Sequence, residues 1–320
     1  IFRTWYGLGD LQTASQLAAL LLLFVFTLFV LERWSRQRLR FHHSSSRKRV
    51  TRIRLSGWRA TAALSLASLI LVAGFILPGA RLLLWALQNW QTNLNMDFLA
   101  LLGNSFMLAA LASICCLVLA LFLGYGKRLH PGRVETGAVR VAATGYAVPG
   151  TVIAVGVLLP FAWLDNQFDS FMREHFDIST GLLLSGTLAA LLFAYIVRFL
   201  SVSLQSVESG LAAIRPSIDE SARSLGSSPW QVLRRIHIPV LRGSLLTALL
   251  LVFVDVLKEL PATLILRPFN FNTLAVRTYE LASDERLADA ATPALAIVLT
   301  GLLPVILLSR SISREHDRHG

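Results

Sequence analysis

The run VDVLKELPATLILRPF, 254–269, carries Asp255, Lys258 and Glu259 inside an otherwise apolar stretch. An ionised group buried in hydrocarbon costs about 3 kcal/mol on insertion scales, so such groups face protein or water. Spacings of three and four put all three on one face of a helix. Lys258 then neutralises one carboxylate, leaving about one negative charge beside a candidate pathway; an ion pair that only ties helices together is the alternative. Pro261 follows at once, frees a backbone carbonyl and bends the helix. A bent helix with charges is a candidate gate. Pro149 and Gly150, in GYAVPGTVIAVG, mark a second expected kink or interruption, and Asn104 is a candidate polar lining.

A second chemistry-bearing stretch is SIDESARSLGSSPWQVLRRIHIP, 217–239, polar sequence between two apolar runs. Ser217 with Glu220 has the spacing of a capping box, and Ser228 with Gln231 repeats it around Pro229 at a first helical position. Gly226 suits the left-handed residue that stops a helix, and Pro239 is expected to end the second helix. Two short helices joined by a tight turn are predicted. Ala222, Leu225, Trp230, Leu233 and Ile236 supply an apolar face; Arg223, Arg234 and Arg235 supply a polar one. Such a knob fits a groove in another protein, and an amphipathic loop lying on lipid is the alternative.

Little else in the chain suggests chemistry. His42, His43, His130, His175, His237, His316 and His319 all fall in predicted loops or the tail, where histidines are usually solvated, so no catalytic constellation lies within the apolar segments. The adjacent Cys115 and Cys116 point about 100° apart on a helix, which gives neither a disulfide nor a metal site. Gly126-Lys127 lacks the upstream glycine of a phosphate loop and is followed by Arg128. Any ATP chemistry must belong to a partner.

Apolar segments must position these residues. The chain is 320 residues long, 54% hydrophobic and only 15% charged, too apolar for an ordinary soluble domain. Spans of about 20 apolar residues are expected at 15–32, 59–80, 99–125, 139–163, 181–200, 243–266 and 292–309. The expected fold class is therefore all-α, a polytopic transmembrane helical bundle. Alternating the loops between sides places 23 Lys/Arg on one side and six on the other. The basic side is the cytoplasmic one. The net charge of +11 is this topological signal, and the run RKRVTRIR at 47–54 is expected to meet lipid headgroups rather than nucleic acid.

The beginning of the chain echoes its end. FRTWYGLGDLQTASQLAALLLLF at 2–24 aligns with VRTYELASDERLADAATPALAIV at 276–298, matching Arg3 to Arg277, Thr4 to Thr278, Tyr6 to Tyr279, Leu8 to Leu281 and Asp10 to Asp284. Taken as a repeat, it makes residues 1–32 the last helix of a preceding homologous half of the same full-length chain. Residues 33–57 are then a basic cytoplasmic linker, 58–310 a six-helix core with its loop at 215–240, and 311–320 a cytoplasmic tail.

Residues 217–239 also resemble a family signature: Glu-Ala-Ala, three residues of any kind, Gly, nine of any kind, then Ile, any residue, Leu-Pro. The chain has Glu220, Ser221, Ala222, Gly226, Ile236, Ile238 and Pro239 at those intervals, with Ser221 replacing alanine and Ile238 replacing leucine. The pattern is similar to the coupling loop of permease subunits in binding-protein-dependent ABC importers, a resemblance covering about residues 99–310. It implies a six-helix permease core in a bacterial inner membrane, and a knob seated in a cytoplasmic ABC ATPase, with Glu220 as docking acid. It implies, too, an extracytoplasmic substrate-binding protein, and ATP and Mg bound only on the partner ATPase subunits. The run KELPATLILRPFNFNTLAVRTYE, 258–280, resembles the ferric-iron branch of fused permeases, although phosphonate permeases share much of it. Asp255 and Glu259 offer oxygen ligands that suit hard Fe(III) in passing, and no ligand cage is visible. A stand-alone channel or scaffold is the competing class.

Overall fold

The computed structural model describes residues 1–37, 55–89 and 95–318, and every regular element among them is a helix. In chain order these are α1 (Leu11–Gln37), α2 (Trp58–Gln88), α3 (Met96–Leu129), α4 (Arg133–Ala142), α5 (Gly150–Phe176), α6 (Leu188–Ala213), α7 (Pro216–Ser224), α8 (Pro229–Leu257), α9 (Pro261–Leu266), α10 (Leu274–Ser283) and α11 (Leu287–Arg318). Six of them, α1, α2, α3, α5, α6 and α8, are long and apolar enough to cross a membrane, and α11 has a shorter apolar stretch over Leu287–Leu302. The Arg-rich run at 47–54 and most of the expected basic linker lie outside the described residues.

Helices α3, α6 and α8 pack on one another to form the centre of the bundle. Their contact surfaces are small: Ala109, Ala112, Cys116 and Ala120 on α3, Ala190 and Ala194 on α6, and Ala248 on α8 are wholly buried. In lipid, helices associate through close packing rather than through escape from water, so small residues at the seam let the backbones approach. Tyr195 and Phe199 fill the remaining space. α1 lies against α5, and the second half of α2 lies against α11. The described faces of α2 bury no residue, and Leu64, Leu66, Leu69 and Ile70 all point outward.

Three expected spans shift. The segment 139–163 is divided: Val139–Ala142 ends α4, and the membrane helix begins only at Gly150 and continues to Phe176. Between them Gly145 sits against the backbone carbonyl of Val197 with no room for a Cβ, and Pro149 supplies no N–H. The expected 181–200 starts at Leu188 and runs to Ala213, which places Arg198 in mid-helix rather than at a cytoplasmic loop edge. The expected 243–266 breaks after Leu257, and a separate short helix starts at Pro261.

Candidate functional site

The polar stretch forms a helix–turn–helix knob between α6 and α8. Helix α7 begins two residues earlier than expected, with Arg215 extended at its N-cap in place of Ser217 and Pro216 in the first turn. Ser217 and Glu220 therefore make no capping box; proline's fixed φ and missing N–H already suit a helix start. Its end is as the sequence implies. Gly226 has φ 80°, Gly226 N–H donates to Arg223 O, and Ser227 N–H donates to Ala222 O, which together close a left-handed C-terminal cap. The second capping box is present, with Ser228 N–H donating to Gln231 Oε1 at 2.9 Å and Gln231 N–H to Ser228 Oγ at 3.3 Å. Pro239 does not end this helix. The chain widens into one π-helical turn, Leu233–His237, and runs on as α8, because the wider turn accommodates the proline ring and its absent donor.

The expected apolar face separates into two. Leu225 and Trp230 point outward, 86% and 65% exposed. Glu220, Ser221, Arg223, Arg234 and Arg235 are exposed as well. Ala222 and Leu233 turn inward beside Val232, while Ile236 is half-buried. The knob thus has a free mixed apolar and charged face, and an inner face that roots it in the bundle.

A polar junction that the sequence did not announce lies at the root. Arg128, in the last turn of α3, pairs with Asp219 of α7 (Nε–Oδ2 2.7 Å). It also donates to the backbone carbonyls of Leu211 and, at 2.9 Å, Ile214 where α6 ends. The other Asp219 oxygen accepts from Nε2 of His237 at 2.6 Å. His237 is not a solvated loop histidine but wholly buried, with the Tyr125 ring 5.3 Å from its own; Tyr125 in turn donates its hydroxyl to Pro229 O at 2.8 Å. Burial pushes the Asp219 carboxyl up, but the hydrogen bonds from Arg128 and His237 outweigh it and hold the group below the usual carboxylate range. Lys127 pairs with Glu208 at 2.7 Å at the helical end of α3, so Gly126-Lys127 is helix rather than a phosphate-binding loop.

Within the bundle, the structure brings together Pro149, Gly150, Glu259 and Pro261, and adds Arg198. The charges at 255–259 do not share one helix face, because α8 stops at Leu257. Asp255 pairs with Lys258 at 2.8 Å, and the Lys258 side chain is 60% exposed. Glu259 turns into the protein and pairs with Arg198 at 3.2 Å. Arg198 also donates to Val148 O at 2.9 Å, just before the start of α5. Glu259 Oε1 accepts the Ala262 N–H, and its backbone carbonyl accepts the Thr263 hydroxyl. A Cβ on Gly150 would lie 2.5 Å from Glu259 Oε1 and 3.1 Å from Arg198 Nη1. Two helix breaks thus meet around one ion pair. Asn104 stands apart, donating to Asn272 O in the loop before α10.

Arg198 carried a signal, a lone cation ten residues into an apolar helix. Arg128, Asp219 and His237 carried none, because only the fold makes them neighbours. Opposite the knob, an apolar cavity of about 630 Å³ opens between Phe2, Trp5, Leu158, Leu264 and Phe269, with Arg267 at its lining.

Residues 116–315 match the family described as binding-protein-dependent transport system inner membrane component. The Fe(3+)-transport system permease protein FbpB 2 of Haemophilus influenzae is 26% identical over 317 residues, which is 97% of this chain and 59% of that protein. The chain thus spans somewhat more than half of that relative's length. A putative 2-aminoethylphosphonate transport system permease protein, PhnV of Salmonella typhimurium, is 28% identical over 262 residues, covering 78% of this chain and 93% of its own length. The crystal structure of a bacterial ABC transporter involved in import of the acidic polysaccharide alginate superposes with a TM-score of 0.63 at 15% identity, over 80% of this chain and 96% of that one. The last likeness bears on the fold alone.

Proposed function

This chain belongs to the binding-protein-dependent transport system inner membrane components, a multi-pass membrane family, and from that membership we propose that it forms the pathway of an ATP-driven importer for ferric iron. The observation that carries the mechanism is the knob between α6 and α8, which offers Leu225, Trp230 and Glu220 outward while its inner face is fixed to the bundle. In this reading cytoplasmic ABC ATPases receive the outer face through Glu220, Leu225, Trp230 and Arg234. ATP and Mg bind on those subunits. Their closure on nucleotide rocks the membrane helices, and an extracytoplasmic binding protein delivers the substrate to the opposite side.

The breaks around Arg198 and Glu259 serve as the gate. Charged side chains within a bundle commonly mark a pathway, and interrupted helices in transporters line one. Glu259 is already engaged by Arg198, so selectivity rests mainly with the binding protein, and iron passes without a fixed cage. The alignment with the ferric permease over nearly the whole chain, α1 included, favours iron.

Residues 1–32 then close an earlier half of the same full-length chain. Supporting this, both copies of the echo fold alike: a short helical stretch, a left-handed residue (Gly9 at φ 69°, Glu285 at φ 61°), then a long helix. Phe2 packs edge-on against Tyr279 where the two copies meet.

A second substrate, 2-aminoethylphosphonate, is favoured by the PhnV alignment over nearly that protein's full length. Full-length chain reconstituted in proteoliposomes with its ATPases and binding protein separates the two. Radiolabelled Fe(III) accumulates with ATP inside and 2-aminoethylphosphonate does not; the reverse pattern replaces iron with the phosphonate, and ATP-independent flux of either indicates a channel.

A further inference from the structure

We propose that the buried junction of Arg128, Asp219 and His237 is the rigid joint that carries movement of the knob into the membrane helices, making these three the positioning residues of energy coupling. The inference rests on the docking reading above, and concerns the inner face of the knob rather than the face offered to a partner.

One guanidinium ties three elements. Arg128 comes from the end of α3, binds carbonyls of Leu211 and Ile214 at the end of α6, and pairs with Asp219 on α7. The second oxygen of Asp219 brings in a fourth element through His237 on α8. Tyr125, one turn before Arg128, holds the start of α8 by the carbonyl of Pro229. The three helices fastened here, α3, α6 and α8, are the ones that pack together as the bundle centre.

Chemistry explains why this joint transmits force. Apolar contacts have no direction, so a knob resting on Ala222, Val232 and Leu233 alone could pivot about its left-handed turn at Gly226 and the extended Ile214–Arg215 link. Charge-assisted hydrogen bonds fix both distance and angle. His237 and Asp219 are shielded from water, which keeps solvent from replacing those bonds as the load rises. Force applied at Leu225 or Trp230 therefore turns α3, α6 and α8 together.

The test uses the full-length chain assembled with its ATPases in lipid nanodiscs, in a cysteine-free background. Spin labels are placed at Leu8 and Leu182, which are 79% and 61% exposed and lie at the end opposite the knob. The wild-type label distance shifts when ATP is trapped with vanadate. Asp219→Ala and Arg128→Gln still bind the ATPases and trap nucleotide, yet lose most of that shift, while His237→Gln, which keeps an N–H donor for Asp219, retains most of it. A full shift in both Asp219→Ala and Arg128→Gln overturns the joint. Should Arg128→Gln fail to fold, Asp219→Asn decides by the same readout, a full shift again counting against the joint. ATPase binding unaffected by Leu225→Ala and Trp230→Ala removes the docking reading instead, so the two failures are distinguishable.

Discussion

Glu259 is 6% exposed and Arg198 sits in the middle of a membrane helix, so each charge is tolerable only because the other is beside it. Removing one partner of a buried pair leaves the other uncompensated, at a cost of about 3–5 kcal/mol. Arg198→Ala and Glu259→Ala should each lower the thermal unfolding midpoint in detergent markedly, whereas the double variant should lose much less than the sum. Additive losses would show that the two side chains do not depend on each other. Asp255 and Lys258 behave differently. Their pairing is on a partly exposed side chain, where an ion pair contributes about 0–1 kcal/mol, so Lys258→Ala should leave the midpoint nearly unchanged.

At the scale of elements, the breaks matter as much as the helices. Gly145 lets the turn before α5 touch the Val197 carbonyl of α6, a backbone atom that cannot swing aside. Gly145→Ala should therefore destabilise by about 1–3 kcal/mol, as overpacking does. Gly156, inside α5 with open space around it, is the control: Gly156→Ala should be neutral or stabilising by up to about 1 kcal/mol. Thermal unfolding of both variants side by side checks the pair, and equal behaviour would refute the close approach. In α8 the π-helical turn before Pro239 shows an element adjusting to a proline instead of ending at it. The sequence marks such a proline but not its outcome, since a kink, a stop and a widened turn all answer the missing N–H.

For the whole molecule, alternation of the basic loops predicts that the knob faces the inside of the cell and the loop after α5 the outside. A cysteine at Leu225 in a cysteine-free background should react with a membrane-impermeant maleimide only in inverted vesicles, and one at Leu182 only in right-side-out vesicles; the opposite pattern would reverse the topology and remove the ATPase docking. Much of this was legible along the chain. Hydrophobic length marked the membrane helices, and Ser228, Gln231 and Gly226 marked the knob, because spans and caps depend on residues close together in the chain. The sequence could not pair Glu259 with Arg198, join Arg128 to Asp219 and His237, or turn Ala222 inward and Leu225 outward. Those partners are 61, 91 and 18 residues apart for Arg198–Glu259, Arg128–Asp219 and Asp219–His237, and which of them meet is decided only when α3, α6 and α8 pack and the cost of burying a charge selects its neighbour.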